Sequence, residues 1–142
     1  MCTIRRGRRT DMAALQAMLF PDASPQEDQE SSTAANRHWR RLARDPALDC
    51  YVAQEGEVLY GIILVSYIRR LRQYGWQALL DMAVLPTAPA IVGQELLHFA
   101  KKRARQRTCR SVLWIPSPTG SENQLPVTFF EDNGFQQIGA FW

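Results

Sequence analysis

Apolar residues recur in two different periods along this chain, and the two periods predict strands in its middle and helices on either side. Val, Ile, Leu and Tyr are concentrated in three runs, which predict consecutive antiparallel strands over residues 48–54, 58–68 and 76–84. The sequence Glu-Gly-Glu at 55–57 is typical of a hairpin turn between the first two strands. Charge and glycine interrupt the pattern over residues 69–75, before the third strand.

Helical spacing predicts four helices, two before these strands and two after them. Thr10 is placed as the N-cap of the first helix, Pro21 ends it, and the acidic residues 22–32 are expected to form a surface loop. The buried stripes are Met12, Leu15 and Leu19; Ala35, Trp39 and Leu42; and Leu96, Leu97, Ala100 and Ala104 in a helix over residues 93–106. A fourth helix is expected over residues 124–133, ended by Asn133-Gly134, with further strands over residues 2–5, 111–116 and 135–142.

Length and composition favour one domain. The chain has 142 residues, of which 46% are apolar, so residues 1–142 are expected to share one core. The three cysteines are an odd number without paired spacing, which predicts neither a disulfide framework nor a metal site and favours a reducing cytoplasm. No run approaches the roughly eighteen apolar residues that cross a membrane, so no membrane partner is expected.

The charge is slightly basic. Seventeen Lys and Arg against fourteen Asp and Glu give a net charge of +3, and the basic residues cluster at 5–9 and 101–110. Because no aromatic residues are interleaved with these clusters, nucleic-acid binding is not indicated. The second cluster ends a predicted helix, where positive charge is favourable to the helix dipole without any partner.

Residues 79–97, LLDMAVLPTAPAIVGQELL, form the candidate binding segment. An apolar strand runs into a proline-containing loop and then into a helix that has Gly93 at its start. Backbone N–H groups converge at the start of such a helix and can hold an anionic group such as a phosphate. The alternative is a structural crossover that binds nothing, which is common in α/β folds.

Four segments carry a recognisable set of motifs: IRRGRRTDMAAL, YVAQEGEVLYGIILV, AVLPTAPAIVGQELLHFAKKRA and NQLPVTFFEDNGF. They resemble segments of the GNAT superfamily of acyl-CoA-dependent N-acetyltransferases. In this order they correspond to the opening of the family's fold, its hairpin, its cofactor segment and its ending, which has the pattern Asn-x-x-Ala-x-x-Phe-Tyr-Glu-x-x-Gly-Phe. The last motif is matched at Asn123, Phe129, Glu131, Gly134 and Phe135. The resemblance implies an α/β (α+β) fold, in which about four helices flank a mixed, mostly antiparallel sheet of about six strands.

The resemblance also implies acetyl-CoA as co-substrate. In the family, the backbone at the end of the fourth strand pairs with the pantetheine arm, which here implies Met82, Ala83 and Val84. Amides of the following loop and helix start hold the pyrophosphate, and the corresponding residues here are Ala88, Ala90, Ile91, Val92, Gly93 and Gln94. Asn123 is implied in a hydrogen bond to the cofactor arm, with a helix cap as the alternative, and Phe130 stands where the family has a tyrosine.

The chain departs from the family pattern at the loop and at that tyrosine. Ala88 stands where Arg or Gln is usual, Ile91 replaces the first glycine, and Pro89 has no amide hydrogen. Because glycine lets the backbone approach phosphate oxygens, Ile91 is expected to crowd the pocket or to force a different loop path. Phe130 lacks the phenol that commonly protonates the leaving thiolate.

Amine acetylation also needs a base, and the resemblance implies Asp81 on the predicted third meander strand, since family members often place a carboxylate on this strand that acts directly or through water. The alternative is a structural or edge carboxylate, because a shift of one residue along a strand turns a side chain to the other face. Tyr67 and Tyr74 are candidates for lining an acceptor site, with simple packing as their alternative.

The sequence therefore predicts an N-acetyltransferase that transfers an acetyl group from acetyl-CoA to a small-molecule or peptide amine. The alternative is a catalytically impaired GNAT-fold binding or regulatory module, which the four departures at Ala88, Pro89, Ile91 and Phe130 favour. The family often pairs subunits, which implies a homodimer, although no residue pattern locates an interface.

Overall fold

The computed structural model describes residues 2–19, 28–115 and 125–136. A short 3-10 turn, Arg9–Asp11, leads into the first helix. In chain order the strands and helices are β1 (Thr3–Arg6), α1 (Met12–Leu19), α2 (Asp28–Arg44), β2 (Leu48–Glu55), β3 (Val58–Arg70), β4 (Gln73–Val84), α3 (Ile91–Gln106), β5 (Cys109–Trp114) and α4 (Val127–Asp132).

The strands form one sheet in the order β1-β2-β3-β4-β5. The first four are antiparallel neighbours, whereas β5 is parallel to β4 because α3 carries the chain back across the sheet. The predicted mixed, mostly antiparallel fold is confirmed, with five strands rather than about six in the described part of the chain. Of the predicted last strand, residues 135–142, only Phe135 and Gln136 are described, and they are not in a strand.

The sheet separates two apolar cores, because side chains alternate between its faces along each strand. One core packs Ile63 and Leu80 of the sheet against Leu96 of α3 and Phe130 of α4. The other packs Ile62, the neighbour of Ile63, with further residues of the sheet and of α1 and α2: Leu15, Met18, Trp39, Val52 and Ala83. The buried residues Leu15 and Trp39 of the first two predicted stripes therefore lie on one face of the sheet, and the stripe of α3 lies on the other.

Helix α3 packs closely on β3 at Gly61. A Cβ atom at this position would lie 2.9 Å from Cδ1 of Leu96 and 3.2 Å from the carbonyl oxygen of Ala83. Any side chain on Gly61 would therefore push α3 away from the sheet or force Leu96 out of its position.

Three local predictions are wrong. Residues 28–32, which are expected to lie in a surface loop, belong to α2, because this helix begins at Asp28. Residues 69–75 do not interrupt the strands, because Arg70 pairs with Gln73 and the two strands form one long hairpin. Gly75, at φ +83°, adopts a conformation that few other residues tolerate, and it lies where the register of the ladder shifts between Arg69 and Arg70. The residue before the first helical turn is Arg8 and not Thr10; its N–H donates to Oδ2 of Asp11 at 2.6 Å, since that carboxylate reaches back to the free amide.

One buried carboxylate, which sequence reasoning missed, ties β2 to α3. Asp49 has a side chain that is 1% exposed, and its Oδ2 accepts a hydrogen bond from the hydroxyl of Tyr67 at 2.6 Å. Nε of Arg103 lies 3.3 Å from the same oxygen and Nε of Arg107 lies 3.5 Å from it, while Arg6 approaches the other oxygen at 3.5 Å. The basic end of α3 thus has a partner inside the protein in addition to the helix dipole.

Candidate active site

Strands β4 and β5 pair over only part of the length of β4. Their last paired residues are Leu80 and Trp114, where β5 ends, whereas β4 continues to Val84 and stays paired there with Gly61 of β3. Within the described residues, no strand pairs with residues 81–84 on the β5 side. This edge of β4 therefore presents backbone groups without a strand partner. We call residues 81–84 together with Trp114 the strand fork.

The predicted residues Met82, Ala83 and Val84 lie together at the strand fork. Met82 packs into the core under α3, and Ala83 into the core under α1 and α2. Since their side chains belong to the two cores, only their backbone faces the open edge. An extended molecule that carries amide groups can add to such an edge as a further strand does.

Asp81 is the first residue of β4 beyond its pairing with β5. Its neighbours Leu80 and Met82 face α3, so Asp81 faces the side of the sheet that carries α1 and α2. Part of the residue is exposed to solvent, and the surrounding protein displaces enough water from the carboxyl group to raise its pKa. A raised pKa makes this carboxylate a better proton acceptor than an ordinary surface aspartate.

The loop before α3 uses some of its amides within the protein. The N–H of Ala88 donates to the carbonyl oxygen of Leu85 at 3.0 Å, and the N–H of Val92 donates to that of Pro89 at 3.0 Å. No acceptor is found among the described residues for the amides of Ala90 and Ile91, and no side chain caps the helix. The start of α3 therefore keeps two backbone donors for an anion.

Of the two outcomes expected for Ile91, a crowded pocket or a different loop path, the first is not found. Ile91 is 55% exposed and lines an open groove on the outer face of α3 with Gln94, so it does not turn inward to crowd the loop. Gly93 is covered by its own chain, because a Cβ there would lie 3.3 Å from Cδ1 of Leu125 and 3.4 Å from Cζ of Phe129. The glycine thus allows the segment around α4 to pack on α3.

An aromatic cluster closes the core beside the strand fork. The rings of Phe130 and Trp114 are stacked, and the ring of Phe130 is also perpendicular to those of Phe129 and Phe135. Trp114 was missed from the sequence; the available signal was an aromatic residue ending the fifth strand opposite a helix with two adjacent phenylalanines. Phe130 is 1% exposed and acts here as a core residue.

The remaining candidates do not meet at the strand fork. Tyr67 is buried against Asp49, and Tyr74 is 85% exposed in the turn region of the β3–β4 hairpin, so both lie toward the end of β4 away from the strand fork. Asn123 lies outside the described residues.

The described ranges contain neither a cluster of metal ligands nor a membrane-spanning helix. No three His, Cys, Asp or Glu side chains come together there in a way that could hold a metal ion. None of the helices described is both long enough and apolar enough to cross a lipid bilayer.

The family of this chain is shown by a match to a known protein family. Residues 11–135 match the family described as "Acetyltransferase (GNAT) family". The chain belongs to the GNAT acetyltransferase family. The match covers the strand fork, the start of α3 and α4, and this membership supports acyl transfer from an acyl-CoA as the general chemistry. No curated protein sequence matches the chain.

Solved structures share the GNAT fold of this chain along nearly its full length. A transcriptional regulator from Bacillus halodurans is 22% identical, with a TM-score of 0.81, and the match covers 100% of this chain and 99% of that one. A predicted acetyltransferase with acetyl-CoA from Clostridium acetobutylicum is 15% identical, with a TM-score of 0.75 and coverages of 100% and 94%. An aminoglycoside N-acetyltransferase, AAC(6')-Iy, in complex with CoA is 17% identical, with a TM-score of 0.77 and coverages of 100% and 92%. At these identities the likeness shows the fold.

Proposed function

We propose that this protein transfers an acetyl group from acetyl-CoA to the primary amine of a small cationic molecule, such as an amino sugar. The observation that carries the proposal is the strand fork, where β4 offers an open backbone edge at residues 81–84, shortly before the start of α3. Structures with this fold include one with acetyl-CoA and an aminoglycoside acetyltransferase with CoA. The proposal of a cationic acceptor includes the expectation that the acidic residues 22–32 border the site, where they would attract positive charge.

In this proposal the pantetheine arm pairs with the backbone of Met82, Ala83 and Val84. The pyrophosphate lies at the start of α3, where the amides of Ala90 and Ile91 are free to donate. A basic side chain is not required there, because the helix N-terminus itself favours negative charge. The side chain of Gln94, exposed in the first turns of α3, is a further donor, while Ala88, Val92 and Gly93 hold the loop in place by packing.

Asp81 is proposed as the base. Its carboxylate takes a proton from the acceptor ammonium, directly or through a water molecule, and the free amine then attacks the thioester carbonyl carbon. The negative charge on the carbonyl oxygen is stabilised by the backbone N–H of Val84, because the pairing of Leu85 with Tyr60 turns the N–H of Ala83 toward β3. Collapse of this adduct breaks the C–S bond and releases the CoA thiolate, and the nitrogen loses its second proton to water as the amide forms.

Protonation of the departing sulfur falls to water, because Phe130 has no proton to donate. A positioned general acid typically contributes a factor of about 10²–10⁴. Without a general acid, much of the rate enhancement comes from positioning the amine against the thioester. We therefore propose an acetyltransferase that works slowly.

Binding is tested first, by isothermal titration of the protein with acetyl-CoA and, separately, with CoA. We expect a dissociation constant in the micromolar range, which corresponds to about −8 kcal/mol. The absence of both heat and a thermal shift at millimolar ligand would overturn the proposal at the binding step.

Turnover is tested by the release of free CoA thiol in the presence of a panel of aminoglycosides and amino sugars. We expect thiol release with at least one acceptor, and a loss of about 10²–10⁴-fold in the Asp81→Asn variant. The matched control is Glu57→Gln at the exposed β2–β3 turn, which removes one carboxylate elsewhere and is expected to leave the rate unchanged. Binding of acetyl-CoA without thiol release for any amine would overturn the enzymatic part alone.

A further inference from the structure

The β3–β4 hairpin projects beyond both of its neighbours in the sheet. Strand β2 pairs with β3 only as far as Ser66, and β5 begins its pairing with β4 at Trp76. Every residue from 69 to 76 is exposed, with Leu71 fully exposed at the turn and Tyr74 at 85%. We call residues 69–76 the hairpin arm.

The hairpin arm carries positive charge that nothing in the described chain neutralises. Arg69, Arg70 and Arg72 belong to it, and Arg110 of β5 joins them, because its Cδ and Nε lie 3.2 Å from where a Cβ on Gly75 would be. Within the described residues none of these four guanidinium groups forms an ion pair. The sequence has no Asp or Glu in residues 58–80 or 96–121, so both chain segments that build this surface lack acidic residues.

Aromatic rings are interleaved with these arginines. The guanidinium carbon of Arg69 lies 4.2 Å from the centroid of the Trp76 ring, which is the distance of a cation–π contact. Tyr74 lies between Arg72 and Trp76 in the sequence, with its ring in solvent. Guanidinium groups bind phosphate through two parallel hydrogen bonds, and exposed rings stack on nucleobases.

From this combination we infer that the hairpin arm binds single-stranded nucleic acid, with phosphates on its arginines and bases on Tyr74 and Trp76. A lipid surface fits less well, because the arm has one exposed aliphatic side chain, Leu71, and an interfacial anchor needs a broader apolar face. The arm lies at the start of β4, and the eight residue-to-residue steps from Trp76 to Val84, at about 3.3 Å each, place it about 26 Å from the end of that strand. Nucleic acid that is bound to the hairpin arm therefore does not cover the strand fork.

The test is fluorescence anisotropy of the full chain with labelled oligouridylate and oligothymidylate of about 12 nucleotides, at about 50 and 200 mM salt. We expect binding that weakens with salt. In the variant Arg70→Gln with Arg72→Gln, the slope of log K against log salt should fall in magnitude by about 1.4, which is about 0.7 for each lost phosphate contact. Tyr74→Ala should weaken binding about tenfold, and Tyr74→Phe should retain it because the ring is kept.

The matched control is Arg37→Gln with Arg40→Gln, which removes two exposed charges from α2. It should change the affinity by no more than about twofold. Equal weakening by both double variants would mean a general charge effect and would overturn the inference. The absence of oligonucleotide binding would overturn it too, as would binding only to vesicles that contain phosphatidylglycerol. Thermal melting of each variant establishes that it is folded, and no outcome depends on acetyl transfer.

Discussion

The ring of Phe130 lies flat on the ring of Trp114, with centroids 3.7 Å apart and planes 12° apart. Trp114 ends β5 at the strand fork and Phe130 lies in the middle of α4, so this contact joins the helix to the point where the two strands separate. Phe130, which is expected beside the cofactor, therefore also fixes α4 to the sheet.

Truncation of Phe130 should destabilise the protein strongly. Phe130→Ala removes a stacked, fully buried ring and leaves a cavity, which typically costs about 3–5 kcal/mol. Urea denaturation measures the loss. Val127→Ala, at a half-exposed position on the same helix, should change the free energy of unfolding by less than about 0.5 kcal/mol. A cost below about 1 kcal/mol for Phe130→Ala would show that the aromatic cluster does not hold α4 in place.

Asp81 should lower the stability of the folded protein at pH 7, although it is proposed to increase the rate of the reaction. Its pKa is raised in the folded protein, so above the ordinary value of 3.8 the folded state holds its proton longer than the unfolded chain does. Stability therefore declines as the pH rises through that raised pKa, and Asp81→Asn should have a higher Tm than the wild type at pH 7 and an equal Tm below about pH 3.8. An equal or lower Tm at pH 7 would contradict desolvation as the cause of the shift.

The same carboxylate should control the acid side of the pH–rate profile. The rate of the wild type should rise with pH as Asp81 loses its proton, with a midpoint above 3.8. In Asp81→Asn the remaining activity should lack this acid limb. An unchanged pH profile in the variant would assign the base to another group.

Asp11 should stabilise the amino-terminal turn in a pH-dependent way. Two hydrogen bonds from Arg5, at 2.7 and 2.9 Å, and one from the amide of Arg8 hold the pKa of this carboxyl group below 3.8. The unfolded chain therefore binds more protons in acid, and the stabilisation present above about pH 5 is lost as the pH falls through the folded pKa. Asp11→Asn should cost about 1.5–3 kcal/mol at pH 7 and progressively less in acid, as followed by urea denaturation at several pH values. A cost that does not change with pH would exclude the ion pair as its source.

Gly61 and Leu96 should be energetically coupled. Gly61→Ala places a Cβ 2.9 Å from Leu96, and such overpacking costs about 1–3 kcal/mol. Leu96→Ala alone should cost about 2–5 kcal/mol through the cavity it leaves. The double variant should lose less than the sum of the two single losses, because the shortened side chain makes room for the new methyl group. Simple additivity would mean that the carbonyl of Ala83, and not Leu96, limits the space at Gly61.

The sequence by itself determined the element order, the four helices, the meander strands and the family. These depend on local periodicity and on short turn motifs; Glu55-Gly56-Glu57 and Asn133-Gly134, for example, lie at the predicted turn and helix end. The tertiary structure decided where β4 and β5 separate, the partners of Asp49, the stacking of Trp114 on Phe130 and the length of the β3–β4 hairpin. Each of these depends on strand register or on contacts between residues far apart in the sequence, for which a local pattern of polar and apolar residues carries no signal.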